Sequence, residues 1–296
     1  MEYLHGIDIG GTNIKSIILD QQRQIIHQSK HPTTSKWASV VEQINRNARK
    51  KYNIESVGIA APGLVNQQND RIVCLPERLA GIVDFDWQSI FGNEEFTVLN
   101  DAHAATIAEY ECHFATKYQH LLLLTLGTGV GGGLILNGQL HQGAQQRAGH
   151  LGHTALQMNL GQTMTNMPGS LEWHVGNFSA KERSNGRFDD NLQILQAYRS
   201  GDPFGQLLWL KMMESLSVGI SGLINAFAPE VVVLAGGLTL AKEDLFAPLQ
   251  KMMDQYEWRT NGKSTPIVAA GFDDFAGAIG AALFAHQQIS TISQKL

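Results

Sequence analysis

Four short stretches carry residue types that could do chemistry. Asp8-Ile9-Gly10-Gly11-Thr12 sets a carboxylate at the end of an apolar run, two glycines in the turn and a hydroxyl after it. A carboxylate can hold Mg2+ or its waters, and bare backbone amides beside a hydroxyl can take phosphate oxygens; phosphoryl transfer needs both. A plain hairpin turn would need neither the Asp nor the Thr. Gly127-Thr128-Gly129-Val130-Gly131-Gly132-Gly133 offers a second phosphate cradle. It is not a P-loop, because no Lys-Ser or Lys-Thr follows, and the apolar Leu134-Ile135-Leu136 and a turn stand where a dinucleotide fingerprint would open a helix. Asn100-Asp101-Ala102 lies where an apolar strand, 96–99, meets a helix. An Asp there can hold and deprotonate a hydroxyl that the Asn positions, and capping the helix is the competing use of the same Asp. Val233-Leu234-Ala235-Gly236-Gly237 ends a buried strand in small residues, which would let a flat base approach the backbone or let a helix pack closely.

The elements that must position these groups are legible from the apolar pattern. Each glycine cluster follows a strand-like run, at 4–9, 121–126 and 231–234. The first two clusters read as copies at an offset of 117, with Asp8 on Thr125, Gly10 on Gly127, Ile18 on Ile135, Leu19 on Leu136 and Asp20 on Asn137. A repeated unit explains the match; two unrelated hairpins are the alternative. Helices are expected at 37–51, with Val40, Val41, Ile44 and Ala48 as the apolar face, and at 101–115, opening on an Asp suited to an N-cap. Two more are expected at 204–227, where Leu210, Met213, Leu216, Ile220, Leu223 and Phe227 share a face, and at 277–288. Strands and helices alternating around glycine turns indicate an α/β protein with a ligand between two domains.

Composition fits that reading. The 296 residues suit two domains or one large one, and 43% hydrophobic with 17% charged residues suits buried cores. Twenty-two Lys and Arg against 27 Asp and Glu give a net charge of −5, which argues against a general nucleic-acid binder. Cys74 and Cys112 make no disulfide framework. The first residues show no signal-peptide pattern, and the apolar run at 121–126 is too short to span a bilayer. A cytoplasmic protein with no membrane partner is expected.

The motifs above, taken in order with Ala61-Pro62-Gly63 and Gly149-x-x-Gly152-His153, resemble the ROK sugar kinases and regulators from residue 7 to about 285. The resemblance implies an actin-like ATPase (ribonuclease H-like) α/β fold of two domains with a ligand cleft between them. One domain would span 1–115, with the C-terminal helix, about 281–296, packing back on it, and the other 116–280. It also implies ATP and Mg2+, phosphorylation of a sugar hydroxyl, usually at carbon 6, and a homodimer. By position, Asp101 would be the general base, and Gly63, Asn100, His150, His153 and Glu172 would contact the sugar along with it. Asp8, holding Mg2+ through water or phosphate, and Gly10, Gly11, Thr12, Asn13, Gly127, Thr128 and Gly129 would serve the phosphates. Gly236 and Gly237 would serve the adenosine side, and Pro76, Arg78 and Gly81 lie in the loop placed beside the sugar.

Two departures from the family pattern matter. A Glu is common where this chain has His150, and a histidine there resembles the bacterial N-acetylmannosamine kinases. The usual structural zinc site takes the histidine at 153 and three cysteines that would fall at Thr163, Thr165 and Ser170, and Met164, Asn166 and Met167 replace none of them. No zinc is therefore expected; a His150/His153/Glu172 set is the alternative and is short of ligands. Packing of Leu156, Leu160, Met164 and Met167 would have to hold residues 156–170 instead, or the segment would remain mobile. The expected function is an ATP-dependent kinase of glucose, mannose, N-acetylmannosamine or N-acetylglucosamine. A sugar-sensing regulator without a DNA-binding segment and a β-glucoside kinase are the alternatives. Regulators of the family carry such a segment ahead of the kinase-like body, whereas here seven residues precede Asp8.

Overall fold

The computed structural model describes residues 2–75, 79–158, 167–260, 262–272 and 274–293. In chain order the elements are β1 (Tyr3–Ile9), β2 (Asn13–Leu19), β3 (Ile25–Pro32), α1 (Trp37–Lys51), β4 (Ile54–Ala61), β5 (Leu64–Val65), β6 (Ile72–Cys74), α2 (Gln88–Phe91), β7 (Phe96–Asn100) and α3 (Asp101–Glu109). Then come β8 (Leu121–Leu126), β9 (Val130–Leu136), β10 (Gln139–Leu140), α4 (Leu171–Val175), α5 (Ala180–Arg183), α6 (Asn191–Arg199), α7 (Pro203–Phe227), β11 (Val231–Ala235), α8 (Glu243–Tyr256), β12 (Ile267–Ala269) and α9 (Ala276–Ser293). Two compact units result. Unit 1 takes residues 1–117, 140–148 and 271–296, and unit 2 takes 118–139 and 149–270. Residues 140–148 and 271–280, assigned to the second domain by the sequence reading, cluster with unit 1.

The unit 1 sheet runs β3-β2-β1-β4-β7, with the first three strands antiparallel and the last three parallel. Strand β1 is buried on both faces. Ile7 and Ile9 join Ile14, Val41, Ile44 and Trp87 on the α1 side, and Leu4 joins Ile17, Leu99, Ala104, Ala278 and Ala282 on the other. Close approach shapes that second face. A Cβ on Gly6 would lie 1.9 Å from the Ala278 carbonyl oxygen, one on Gly58 1.9 Å from that of Ala281, and one on Gly280 1.7 Å from that of Ala104.

Unit 2 repeats the plan as β10-β9-β8-β11-β12, again a β-hairpin followed by parallel strands. The duplication expected from sequence is present, with one amendment. In unit 1 the hairpin closes Ile9 on Ile14, four residues apart in the turn; in unit 2 it closes Leu126 on Val130, with three between. The 117-residue offset therefore holds along the first strand and falls to 116 after the turn, so Ile18 corresponds to Leu134 rather than Ile135. Helix α7 is long and apolar enough by length and composition to cross a membrane, but it serves as the core helix of unit 2. Trp209, Met213, Leu216 and Ile220 are buried against α8 and the sheet, whereas Leu210, expected on that face, is exposed. Asp202 caps α7 through the Gly205 N–H, with Pro203 in its first turn.

Candidate active site

In unit 1, β1 and β2 deliver the first glycine turn. Gly10 N–H donates to the Asn13 carbonyl at 3.0 Å, and β3 feeds directly into Thr33, which buttresses the turn from outside. The Thr33 N–H donates to Thr12 O at 2.9 Å and its hydroxyl to Gly10 O at 2.7 Å. Among the described residues no backbone acceptor takes the N–H groups of Gly11 and Thr12. Asp8 stands at the end of β1 against the start of α9, where a Cβ on Gly277 would lie 2.8 Å from its carboxylate. Burial, and then the nearby Asp101 carboxylate, push the Asp8 carboxyl up to about 7, against the pull of Lys15.

The strand-to-helix junction assigns its two polar residues differently from the sequence reading. Strand β7 continues through Asn100, so Asn100, not Asp101, is the N-cap of α3: its Oδ1 accepts from the Ala102 and His103 N–H groups at 3.0 and 3.2 Å. Its Nδ2 donates to the Gly63 carbonyl at 3.0 Å. Gly63 has φ +109, and a Cβ there would meet the Cys74 carbonyl at 2.7 Å, so glycine is required. Asp101 is left as the first helical residue, half-buried, at the positive end of α3, where a carboxylate is favoured. The helix is also shorter than the expected 101–115: it ends at Glu109 and passes into a π turn at Tyr110–Phe114.

In unit 2 the second glycine turn is held from behind. The Asn177 and Phe178 N–H groups donate to Gly127 O and Thr128 O at 3.1 and 3.0 Å. Glu172, buried in α4, accepts the Val130 N–H on Oε2 at 3.0 Å, and a Cβ on Gly129 would lie 2.2 Å from that oxygen. Glu172 thus supports the turn directly. The Gly149-x-x-Gly152-His153 segment packs on the same hairpin, for a Cβ on Gly152 would fall 1.9 Å from Val130 O. His150 and His153 stack, with ring centroids 6.2 Å apart and planes 17° from parallel. Burial and then the neighbouring His153 lower the His150 pKa from its ordinary value. At the end of β11, Gly236 has φ +92 and a Cβ there would strike Leu126 O at 2.6 Å, while Gly237 opens on free space. Gly236 is therefore a packing requirement, and Gly237 is the open position beside it.

Ser170, where the zinc pattern wants a cysteine, caps α4 by accepting the Trp173 N–H at 3.2 Å. Backbone bonds close the segment around it: Leu156 N–H to Gly169 O at 2.8 Å and Leu171 N–H to Thr154 O at 2.8 Å. Leu156 packs on the unit 2 core, whereas Met167 is exposed, so backbone pairing takes over part of the role expected of packing. Pro76, Arg78, Leu160, Thr163, Met164, Thr165 and Asn166 lie outside the described residues. Among the described residues no group of three or more His, Cys, Asp and Glu is placed to hold a metal ion. Sequence reasoning passed over Glu109. It is buried and accepts from the Gly271 and Phe272 N–H groups at 2.9 and 2.8 Å, tying α3 to the segment that leads into α9. It also missed His103, whose Nε2 donates to Ala148 O at 2.8 Å; nothing in local sequence marks either partner.

Known proteins share this architecture along its whole length. The ROK family model matches residues 4–288. The glucokinase of Thermotoga maritima is 25% identical, over 97% of this chain and 98% of the relative. The N-acetyl-D-glucosamine kinase of Haemophilus influenzae is 28% identical, over 94% of this chain and 97% of the relative. Among solved structures, the ROK hexokinase of Thermus thermophilus superposes with a TM-score of 0.86 at 27% identity, covering 98% of this chain and 99% of that one.

Proposed function

The chain belongs to the ROK family and is one of its sugar kinases, and from that premise we propose that it transfers the γ-phosphoryl group of ATP to the 6-hydroxyl of a hexose or N-acylhexosamine. The observation that carries the mechanism is the division of labour at the head of α3. Asn100 is the N-cap, and Asp101, although its Oδ1 also accepts the Ala102 N–H at 2.9 Å, presents a carboxylate beside the Asp8 end of β1. Asp101 accepts the proton of the sugar hydroxyl as that oxygen bonds to the γ-phosphorus. The bond from the γ-phosphorus to the bridging oxygen breaks, and ADP leaves with its electrons.

The Asp8 carboxylate is an oxygen donor that suits Mg2+, and the burial and, after it, the Asp101 charge that raise its pKa are costs of ionisation that a cation would relieve. When bound, Mg2+ supplies positive charge against the β- and γ-phosphate oxygens. The amides of Gly11 and Thr12 and of Thr128 and Gly129 orient those oxygens, the turns being closed by the Gly10 and Gly127 N–H groups, and Gly237, beside the tightly packed Gly236, makes room for the nucleoside. The proposal gives His150, His153 and Glu172 sugar-reading roles; Glu172 would use Oε1, since Oε2 is engaged by Val130. The chemistry of His150 favours a 2-acylamino sugar, because a neutral imidazole N–H can donate to an acyl oxygen.

Sugar-dependent ADP release, followed across glucose, mannose, N-acetylmannosamine, N-acetylglucosamine and a β-glucoside, tests this reading. Turnover with at least one sugar, lost in Asp101→Asn, is expected. No sugar raising ADP release above the Asp101→Asn background would overturn the kinase assignment and favour a sugar-sensing protein.

A further inference from the structure

Strand β3 is the edge of the unit 1 sheet, and its alternate residues His27, Ser29 and His31 line an open groove against helix α1. The groove has a volume of about 500 Å3, within the range of small-molecule sites. Helix α1 gives it two rows, each stepping by four residues. Val40, Ile44 and Ala48 form an apolar floor, and Gln43, Asn47 and Lys51 form a polar rim, with Lys50 beside them. Tyr52 closes one end, its ring stacked on His27 with centroids 6.4 Å apart. Beneath the floor the buried Ser16 hydroxyl meets Nε2 of the wholly buried His5 at 3.0 Å, so the polar lining is anchored in the core.

The charge of this groove runs against that of the chain. The net charge is −5, yet no Asp or Glu lines the groove among the described residues, while two lysines and two histidines do. Arg46 and Arg49, on the same helix, are paired with Glu42 and Glu94. Lys50 and Lys51 have no carboxylate within ion-pair distance among the described residues. The negative end of the α1 dipole accounts for lysines in the last turn. It does not account for a facing row of hydrogen-bonding side chains across an apolar floor.

We propose that the groove between β3 and α1 binds a phosphomonoester with a ring-shaped or apolar body, outside the nucleotide and sugar sites. Lys50 and Lys51 hold the phosphate at the Tyr52 end beside the His27 imidazole, and the body rests on Val40, Ile44 and Ala48 and reaches toward His31. The occupant would clamp β3 to α1. Because β3 continues into Thr33, it would also bear on the Gly10–Thr12 turn, a consequence that rests on the function proposed above, whereas binding itself does not.

The test is a titration of the full chain with phenyl phosphate, and separately with inorganic phosphate, at constant pH and ionic strength without nucleotide. The imidazole NMR signals of His27 and His31, assigned by His27→Gln and His31→Gln, are the readout. Both signals should shift and saturate. Phenyl phosphate should bind about tenfold more tightly than inorganic phosphate, the gain expected from covering part of the floor. Lys50→Ala/Lys51→Ala should weaken binding at least about tenfold while sugar-kinase turnover without the probe and the melting temperature stay at wild-type values. Shifts that never saturate, equal affinity for the two probes, or affinity unchanged in the double variant would each overturn the proposal. Saturation seen only at His150 would place the anion elsewhere and likewise overturn it. A chain that binds phenyl phosphate here but turns over no sugar would retain this inference and lose the kinase.

Discussion

At the head of α3 the N-cap is Asn100, while the Asp101 Oδ1 also accepts the Ala102 N–H at 2.9 Å, an arrangement the tripeptide Asn100-Asp101-Ala102 alone does not show. Which residue caps depends on where β7 stops, and a difference of one residue moves the cap to Asn100. Asp101→Asn should accordingly lower kcat by about a hundredfold or more, the low end for losing a positioned base. The melting temperature should hardly change and sugar should still bind by calorimetry. Near-wild-type turnover would remove Asp101 from the chemistry. His150 makes a second residue-scale case. Its pKa lies below the ordinary value because burial disfavours the charged ring and His153 adds to that. Its protonation is therefore displaced to lower pH than that of an ordinary imidazole. If the neutral ring reads the sugar, sugar KM should rise only on the acid side of the ordinary imidazole range, with ATP KM little affected. His150→Gln should abolish that rise, and a profile identical in variant and wild type would show that the protonation state of His150 does not matter. The sequence marked both residues; it could not show that Glu172, read only as a sugar ligand, also braces Val130, because the two are 42 positions apart.

At the scale of elements, the sequence was most readable where one strand or helix carries its own pattern. The strand at Leu121–Leu126 and the helix at Trp37–Lys51 fall on their expected bounds, because apolar runs and a four-residue stripe are local signals. What stayed hidden depends on distant partners. Leu140–Ala148 returns to unit 1 because His103 and Asn69 hold it, the latter accepting from Gln146 Nε2 at 3.2 Å, and neither partner is near in sequence. The glycines divide in the same way. Gly11 sits in open space, whereas Gly58 faces the Ala281 carbonyl, where an added Cβ would lie 1.9 Å away. Gly58→Ala must push α9 off β4, and overpacking of this kind costs about 1–3 kcal/mol or more. Gly11→Ala should leave the denaturation midpoint near wild type and instead raise ATP KM, since it crowds the proposed phosphate turn. Denaturant unfolding of the two variants checks the contrast. A Gly58→Ala protein as stable as wild type would mean that α9 is free to shift.

The stability of the whole molecule against pH follows from two groups on one strand, facing opposite sides of the unit 1 sheet. His5 is wholly buried, and desolvation lowers its pKa to about 4; Asp8 is pushed up to about 7. Sequence reasoning found Asp8 and overlooked His5, because nothing in Tyr3-Leu4-His5-Gly6 shows that β1 is covered on both faces. Stability rises with pH wherever the unfolded chain binds more protons than the folded one. Between about pH 4 and 6.5 the unfolded chain holds a proton on His5 that the folded chain lacks, so this group makes stability rise with pH, and its contribution is complete above 6.5. Over the range from about 4 to 7 the folded chain holds a proton on Asp8 that the unfolded chain has released, so this group makes stability fall. Each slope is at most about 1.4 kcal/mol per pH unit, and near pH 5.5 the two nearly cancel. Wild-type protein unfolded by denaturant in chelator should therefore show little net slope from these groups near pH 5.5. Asp8→Asn should expose the rising slope. His5→Leu/Ser16→Ala, which removes the imidazole without orphaning the serine hydroxyl, should expose the falling one. Slopes of the same sign in the two variants would show that one of these groups is not shifted as its surroundings require. Saturating Mg2+ should then act only where Asp8 is present: by stabilising the ionised carboxylate it should lift stability at pH 7 in the wild type and leave Asp8→Asn unmoved.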